Sequence, residues 1–390
     1  MDLKQLHDHL RRGGAATLNH PGVYAVPEGA IVAPARYAGR SGSEFVFETR
    51  YTNGEFRRTT LIDSKQSQSN RAEEGFLTAR REGGAATLVP VIEVGYDGRE
   101  PLTDLQLPHR AFDAHVRFAL QNNSPVVKAP WYQALRDATH ADLSPVFTVS
   151  PATLAFGGWD SSRKSGQLRL RGLFVSELFG VVADRDDRLS RRSGARLDPL
   201  GQDFLITPDE FEALLDRQRD VLSPNLVKKL EGELERVRKK KDALISASTL
   251  NLGGVPPGTE APFGVAVPEV QRARTFSLAG LRRLRFGGTA DDDAAARATL
   301  LGVLLLAAAY ADADPELRAY CDVGSPESRT LLDGDEVELD LSIDACSTFL
   351  EQAIERLPDR LRWTGQVQTL TGEPALNRGA EDAEADGDAP

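Results

Sequence analysis

Cysteine, methionine and long apolar runs are scarce in this sequence. Cys321 and Cys346 are its two cysteines in 390 residues, and neither stands in a CxxC pattern. The spacing supports neither a disulfide framework nor a zinc knuckle, and it fits a reducing cytoplasm. The longest apolar run, Ala298 to Ala311, is too short to span a bilayer and follows three aspartates, so we expect a buried core helix. With no apolar stretch of signal-peptide type at the start, we expect a cytoplasmic protein with no membrane partner.

The common catalytic fingerprints are also missing. No GxSxG, GxxxxGK[ST], GxGxxG or HExxH string occurs, which removes the usual hydrolase, nucleotide-binding and zincin patterns. His109 and His115 are six residues apart in a predicted helix, which places them on different faces and disfavours a shared metal. We therefore expect no catalytic residues, no metal and no cofactor. Asp63 and Asp160 follow predicted strands, where a carboxylate activates a 2′-hydroxyl, holds a metal or, more often, is hydrogen-bonded in a turn.

The net charge of −11 argues, taken alone, against a protein that coats a polyanion. The charge is uneven, because the predicted disordered tail at residues 376–390 is acidic and rich in small residues. Nine basic residues lie between Arg163 and Arg196, and five more lie between Arg272 and Arg285 without an acidic residue among them. Basic surfaces are therefore compatible with an acidic chain.

The apolar patterns predict an α+β protein. Glu44 to Tyr51 and Glu55 to Asp63 alternate with period two around Asn53-Gly54, which predicts a hairpin. A helix follows and stops at Gly83-Gly84. A second helix is predicted over His109 to Leu120. Further strands are predicted at Thr87–Val94, Val146–Val149, Ala152–Phe156, Leu168–Val175 and Arg272–Leu278.

The middle of the chain predicts insertions into one core that spans residues 1–375. Residues 185–204 form a basic loop without apolar periodicity. Thr207 opens a capping box with proline at the first helical position, and Ser223-Pro224 starts another helix. We therefore predict a helical hairpin over residues 205–250.

A polar segment, DSKQSQSNR, occupies residues 63–71, where the alternating strand gives way to a helix. A helix start offers free N–H groups to a phosphate, and Ser, Gln, Asn and Arg side chains bond sugars, phosphates and base edges. RNA contact is one interpretation. A strongly capped helix start with a solvated face is the other, and the spacing does not decide between them.

Two further segments combine basic and aromatic residues. In FGGWDSSRKSG, at residues 156–166, the glycines permit close backbone approach, Trp159 is able to stack on a base, and Arg163 or Lys164 to neutralise a phosphate. A tight turn with the tryptophan in the core is the alternative. In QRARTFSLAGLRRLRF, at residues 271–286, Arg272 and Arg274 alternate with other residues on a predicted strand. An RNA surface and a strand edge with paired arginines both fit.

The segments DSKQSQSNR at residues 63–71, LPHRAFDAH at 107–115 and LAFGGWDSSR at 154–163 together resemble a known family. It is the RAMP-type backbone subunit of the CRISPR type I Cascade complex, specifically subtype I-G, formerly I-U. The order and rough spacing of these segments are similar to the family pattern over most of the chain. The helical hairpin and the acidic tail match no motif of the family.

The resemblance implies an RRM-like (ferredoxin-like) core, an antiparallel sheet with helices on one face, helical insertions and a thumb-like loop, for which residues 185–196 are our candidate. It implies copies that oligomerise along a crRNA and present it for pairing with target DNA. The implied partners are other copies of the chain, RNA-end-capping and large Cascade subunits, and the helicase-nuclease. The expected RNA-binding residues are Ser64, Gln66, Gln68, Asn70, Arg71, Trp159, Ser161, Arg163, Lys164, Arg272 and Arg274.

Two other functions stay open. An endoribonuclease of guide or target RNA would use His109, Asp63 or Asp160 for turnover but not for binding. A protein-interaction scaffold would pair its basic segments with an acidic partner and ignore free RNA.

Overall fold

The structure is a computed structural model that describes residues 5–39, 42–52, 54–161, 167–182, 189–190, 199–200, 204–240, 243–250, 252–254 and 263–377. The chain divides into two compact units. Unit 1 comprises Met1–Arg188 and Gly264–Glu373, and unit 2 comprises Leu189–Phe263 and Pro374–Pro390.

Helices and strands alternate along the chain, and the helices differ widely in length. In chain order the helices are α1 (Leu6–His9), α2 (Lys65–Glu82), α3 (Ala114–Arg117), α4 (Pro130–Asp137), α5 (Ser144–Phe147), α6 (Pro151–Ala155), α7 (Pro208–Asp216), α8 (Pro224–Arg238), α9 (Leu278–Leu281), α10 (Ala290–Ala313) and α11 (Ile343–Glu355). In chain order the strands are β1 (Thr17–Asn19), β2 (Gly22–Ala25), β3 (Arg36–Gly39), β4 (Gly42–Phe45), β5 (Phe47–Thr52), β6 (Glu55–Asp63), β7 (Val91–Gly95), β8 (Leu102–Thr103), β9 (Leu120–Gln121), β10 (Ser124–Pro125), β11 (Gly158–Trp159), β12 (Arg169–Leu170), β13 (Phe174–Val181), β14 (Leu189–Ser190), β15 (Leu205–Ile206), β16 (Ile245–Ser246), β17 (Gly264–Val265), β18 (Glu269–Ser277), β19 (Pro326–Ser328), β20 (Thr330–Leu332), β21 (Asp335–Val337) and β22 (Val367–Thr371).

Unit 1 is built around a large antiparallel sheet. Among the described residues the strand order is β21-β20-β1-β18-β13-β6-β5, and β2 pairs with both β18 and β19. A smaller sheet, β10-β9-β22-β7-β8, contains the parallel pair β22 and β7. The mixed α/β composition and the antiparallel sheet confirm the coarse fold class predicted from the sequence.

Helix α2 follows directly from strand β6. Its N-cap Ser64 accepts a hydrogen bond from the Ser67 N–H at 3.2 Å, and Gly83 ends it at a φ of +108°. That φ lies in the region that glycine tolerates best, so a helix stop is expected there. The predicted hairpin, helix and stop are thereby confirmed, although Asn53 of the hairpin turn lies outside the described residues.

Helix α10 is the buried core helix that the apolar run predicted. Thr289 and Asp292 form a capping box at its start, and the helix packs against α2 and α11. By length and composition alone, α10 is able to cross a membrane. However, 78% of its most apolar 18-residue stretch is buried inside the protein. Burial by neighbouring helices explains its apolar surface on all sides.

Unit 2 contains the helical hairpin. Thr207 and Glu210 form the predicted capping box at the start of α7, and Ser223 caps α8. The two helices enclose a small apolar cluster of their own, made of Phe211, Leu215, Leu230, Leu234 and Ile245. The apolar stripe of each helix therefore has a partner within unit 2.

Three predicted elements are wrong. The strands predicted at Val146–Val149 and Ala152–Phe156 are the short helices α5 and α6, each with a proline in its first turn. The helix predicted over His109 to Leu120 is broken into a 3-10 turn, α3 and β9. Arg110 has a φ of +50°, and Asp113 caps a new helix three residues later, so one helix cannot run through this segment.

Candidate functional site

The polar segment at residues 63–71 divides between the interior and the surface. The Asp63 carboxylate is fully buried and accepts three hydrogen bonds. Its Oδ2 accepts from Gln68 Nε2 at 2.8 Å and from Arg71 Nε at 3.0 Å, and its Oδ1 accepts from an Arg318 Nη at 2.8 Å. Charge-assisted bonds of this kind offset the cost of burying the carboxylate.

The buried polar network continues from Asp63 across the large sheet. Gln68 Oε1 accepts from the Ser176 hydroxyl on β13 at 2.9 Å, which ties α2 to the sheet. On the next strand, Arg274 donates two bonds to the Asp312 carboxylate of α10 at 2.7 and 2.9 Å, and Arg272 donates a third at 2.6 Å. Both helices therefore pack on one face of the sheet through polar as well as apolar contacts.

The electrostatics of this cluster are dominated by the attraction between the Asp312 carboxylate and the charges of Arg272 and Arg274. Burial raises the pKa of the Asp312 carboxyl, but the Arg274 and Arg272 charges outweigh it, so that pKa lies below its usual value. Burial lowers the pKa of the Arg274 guanidinium, against the attraction of Asp312. Nearby, burial and the Arg272 charge lower the pKa of His20 to about 3, so this histidine is neutral at pH 7. The cluster is held together by ion pairs and has a carboxylate at its centre.

Three predicted RNA-binding side chains therefore lie inside the protein. Gln68, Arg272 and Arg274 are buried, and each already has protein partners. The predicted basic surface at residues 272 and 274 is not present in this conformation, because both arginines point toward α10. Strand β18 therefore fits the alternative interpretation, in which its arginines pair with an acidic residue.

In the surface part of the segment, Lys65, Gln66 and Asn70 are exposed, and Ser64 and Arg71 are half-buried. Arg71 also donates to the backbone oxygens of Glu316 and Leu317. A cavity of about 660 Å³ lies alongside α2 and has Arg71 in its wall. Four carboxylates line it, on Glu74, Glu82, Asp314 and Glu316. That acidic lining repels an anion such as a phosphate.

In the glycine-rich segment, strand β11 pairs antiparallel with β12. Gly157 has a φ of +97°, and a Cβ there would lie 2.7 Å from the Gly172 nitrogen, so only glycine fits. Trp159 follows with 42% of its surface exposed, and the Arg169 guanidinium lies 4.3 Å from its ring centroid. The structure thus places the tryptophan at the surface rather than in the core. Ser161 is exposed, whereas Arg163 and Lys164 lie outside the described residues.

Arg110 joins the segments, and sequence reasoning missed it. Its Nε donates to Glu73 on α2 at 2.7 Å, and an Nη donates to the Gly157 backbone oxygen at 2.8 Å. Burial raises the pKa of the Glu73 carboxyl and the Arg110 charge opposes the rise. A charged residue between the apolar residues Leu107 and Ala111-Phe112, which are buried, was the available sequence signal. Through Arg110, helix α2, the 107–115 segment and the glycine turn meet in one place.

Residues 25–185 match the family model described as CRISPR-associated protein GSU0053. The match contains all three segments that meet at Arg110, and it ends before unit 2. It spans less than half of the chain. No curated protein matches the chain. The family match supports a CRISPR-associated protein with a role in CRISPR defence.

The remaining titratable candidates are dispersed. His109 is exposed, whereas His115 Nδ1 is hydrogen-bonded to the Tyr96 hydroxyl at 2.5 Å. Asp160 is buried beside the glycine turn. Among the described residues, no group of three or more His, Cys, Asp or Glu side chains is placed to hold a metal ion. Cys321 and Cys346 are free and buried.

Proposed function

We propose that this chain is a crRNA-binding backbone subunit of a type I CRISPR Cascade complex, of the I-G kind. Several copies line one guide RNA in the cytoplasm and present its bases to target DNA, and other Cascade subunits and the helicase-nuclease act on the assembly. In this proposal the antiparallel sheet with α2 and α10 on one face is an RRM-like core, and the chain itself cleaves nothing.

The observation that carries the proposal is the exposed Trp159–Arg169 stack next to the meeting point of the three motif segments. An exposed indole offers a surface on which a base stacks, and each stacked base contributes about 1–3 kcal/mol whatever its sequence. Arg169 lies over the ring at 4.3 Å, and its positive charge attracts the neighbouring phosphate. A subunit that holds guides of different sequence needs this kind of contact.

The exposed start of α2 supplies a second contact. Lys65 and Gln66 are exposed in its first turn, where free backbone N–H groups and the helix dipole favour an anion. Asp63 and Gln68 hold this end of the helix against the sheet from below. The buried half of the motif is therefore a positioning device, and its exposed half contacts the RNA backbone.

The hydrogen bonds of the Asp63 carboxylate support a protein that binds RNA without cleaving it. A general base must reach the substrate 2′-hydroxyl. The Asp63 carboxylate is fully buried and accepts from two arginines and a glutamine, so its oxygens are committed to the protein. This setting favours a structural role for Asp63, which is one of the three residues named for the endoribonuclease alternative.

Replacement of Trp159 tests the proposal. We expect Trp159→Ala to weaken binding of a labelled single-stranded guide RNA about tenfold, through lost stacking, as measured by fluorescence anisotropy with the full chain. Phe118→Ala is the matched control, because Phe118 is also exposed and also lies near an arginine, Arg117, at 5.2 Å. The control should bind like wild type.

The competing functions give different results in the same assay. If wild type cuts the labelled RNA, the endoribonuclease is correct and the proposal of binding alone is not. If wild type ignores RNA even when the other Cascade subunits are present, the scaffold is correct. Equal affinity of Trp159→Ala and wild type would remove the stack from the proposed interface.

A further inference from the structure

Strand β5 forms one edge of the large sheet. It pairs with β6 on one side, and among the described residues no strand pairs with its other side. Glu48, Thr49 and Tyr51 on this strand are exposed. An edge strand offers its unused backbone N–H and C=O groups to a strand of another molecule. This edge of the sheet is therefore a surface on which a second chain can add a strand.

The hydrogen bonds to β6 show which backbone groups at this edge face outward. The Val46 oxygen, just before β5, accepts from a backbone N–H of β6 at 3.1 Å. The Glu48 oxygen accepts from the Thr59 hydroxyl of β6 at 3.2 Å. Backbone groups alternate in direction along an antiparallel strand. The even-numbered residues therefore face β6, and Thr49 and Tyr51 direct their backbone groups away from the sheet.

The side chains of β5 alternate between the two faces of the sheet. Glu48 pairs with Arg50 at 2.5 Å, and Arg50 pairs with Glu177 of β13 at 2.8 Å. The even-numbered charged side chains thus share one face. Tyr51 lies on the other face, where its ring packs edge to face on Phe56 with centroids 5.3 Å apart.

Residues 47–51 read FETRY, a string that is complementary to itself when two copies run antiparallel. With Thr49 opposite Thr49 of a second copy, Glu48 lies opposite Arg50 of that copy, and the reverse pair is the same. Phe47 lies opposite Tyr51 in the same register. Directly opposite pairs of unlike charge, of two aromatic rings and of two threonines stabilise antiparallel strands, whereas like charges destabilise them. A second β5 therefore fits the edge at all five positions.

The two edges of the large sheet differ in how they are protected. Strand β5 has six residues without proline or lysine, two residue types that commonly block an edge. Its charges would oppose many unrelated strands but meet opposite charges in a second β5. The other edge, β21, has three residues and carries Asp335 and Glu336. Pairing of β21 with its own copy about Glu336 would bring carboxylates together, so this edge disfavours it.

We infer that two copies of this chain pair through β5 across a two-fold axis, so that the large sheet continues from one copy into the other. The outward N–H and C=O groups of Thr49 bond those of Thr49 in the second copy. Glu48 and Arg50 of both copies form a group of four alternating charges on one face. One strand from each copy is a small contact, so the dimer is weak and its population depends on concentration.

The inference goes beyond the proposed function, because it concerns the chain before it binds a guide. A two-fold contact is closed once two copies have met. It therefore cannot be the contact that repeats along a guide RNA. The dimer is tested without RNA, and RNA binding measured by anisotropy decides the proposed function separately.

Substitution of Thr49 tests the backbone contact in the full chain, freed of RNA by nuclease and studied by sedimentation over a range of concentrations. Wild type should show a monomer–dimer equilibrium. Thr49→Pro should raise the dissociation constant about tenfold or more, because the outward N–H of each copy is lost. An edge strand tolerates proline where the N–H faces solvent. Thr49→Ala keeps the N–H and is the matched control, which should dimerise.

Glu48→Arg tests the charge pairing in the same experiment. It should also raise the dissociation constant, because two arginines of one copy then face two arginines of the other. Glu55→Arg is the matched control, since Glu55 likewise pairs with an arginine two residues later, Arg57, but on the inner strand β6. The control should dimerise like wild type. Circular dichroism checks that each variant is folded.

A disulfide locates the contact directly. The Cα atoms of a hydrogen-bonded antiparallel pair lie about 5.5 Å apart, which a disulfide spans. Thr49→Cys should therefore form a covalent dimer under mild oxidation, whereas Arg57→Cys should not. The native Cys321 and Cys346 are buried and free, so wild type should stay uncrosslinked. Wild type that is monomeric at every concentration, or a Thr49→Cys chain that forms no disulfide dimer, would overturn the inference.

Discussion

Arg110 has two tasks that depend on its unusual backbone. Its φ of +50° turns the chain so that one guanidinium reaches Glu73 on α2 and the Gly157 oxygen of the glycine turn. A non-glycine residue adopts this conformation at a cost, and such cost is found where the surrounding structure fixes the residue. The residue therefore sets the distance between α2 and the Trp159 hairpin.

We expect Arg110→Ala to lower the free energy of unfolding of unit 1 by about 3–5 kcal/mol, because it leaves the Glu73 carboxylate buried without its partner. Urea unfolding followed by tryptophan fluorescence measures this. Arg81→Ala is the control, since its pair with Glu74 is exposed and should contribute less than about 1 kcal/mol. Equal effects of the two changes would contradict the role of Arg110.

Asp104 gives unit 1 a specific pH dependence. It is fully buried, accepts from the Ser150 hydroxyl and the Ile92 N–H, and burial raises its pKa to about 6. The folded protein thus holds this proton more tightly than the unfolded chain. The stability from this group is present below about pH 4, the unfolded value, and is lost as pH rises through about 6.

Asp104→Asn should therefore raise the free energy of unfolding at pH 8 by about 1–3 kcal/mol, an order-of-magnitude figure, and should flatten the profile between about pH 4 and pH 6. Fluorescence-detected unfolding at a series of pH values checks this. Asp97→Asn, at an exposed loop position, should leave the profile as it is. A less stable Asp104→Asn protein at pH 8 would show that the ionised form is the one the fold requires.

At the scale of elements, α2 and α10 approach one another closely at Gly75. A Cβ built there would lie 2.8 Å from the Ala307 backbone oxygen and 2.9 Å from the Ala311 nitrogen. Backbone atoms of a packed helix cannot move aside singly, so any side chain at position 75 pushes the helices apart. The contact holds α2, and with it the start of the polar motif, in place.

Gly75→Ala should destabilise unit 1 by about 1–3 kcal/mol through overpacking. Gly232→Ala is the matched helical control, because a Cβ at Gly232 meets nothing within 4 Å; it should stabilise α8 by about 0.5–1 kcal/mol. All three tryptophans of the chain, Trp131, Trp159 and Trp363, lie in unit 1. Tryptophan fluorescence should therefore detect the effect of Gly75→Ala on unfolding, and circular dichroism should detect the effects of both substitutions. A fluorescence midpoint unchanged by Gly75→Ala would contradict the close approach.

Elements with a clear period were predictable from the sequence. Alternation of apolar and polar residues predicted the hairpin of β5 and β6. Gly83 predicted the end of α2, and the string TPDE predicted the capping box of α7. Residues 146–156 were not predictable in the same way, since they are buried on most sides and show no period. Proline in the first turns of α5 and α6 was the signal for short helices rather than strands.

The candidate site was predictable only in part. The polar motif was found, but which of its side chains point inward depends on the packing of α2 against the sheet, and that placed Gln68 inside. Arg272 and Arg274 were found as a basic pair, yet their partner Asp312 is distant in sequence. The link from Arg110 to Glu73 and Gly157 likewise depends on tertiary structure.

At the scale of the whole molecule, the proposed RNA ligand must be reconciled with a net charge of −11. Arg272 and Arg274 are neutralised internally by Asp312, and the cavity beside α2 is acidic. The proposed RNA would therefore be attracted by exposed basic residues such as Lys65, Arg169 and Arg329. An acidic remainder limits nonspecific binding to nucleic acid, and the phosphate contacts of the proposed RNA site make that binding depend on salt.

The most direct test is to purify the chain from cells that also express a guide RNA and the other Cascade subunits, and to size both the particle and its RNA. We predict a particle much larger than a monomer that contains RNA of one discrete length and loses it as salt is raised. Trp159→Ala should reduce the RNA recovered, and Phe118→Ala should not. A monomeric, RNA-free protein under these conditions would contradict the proposed function.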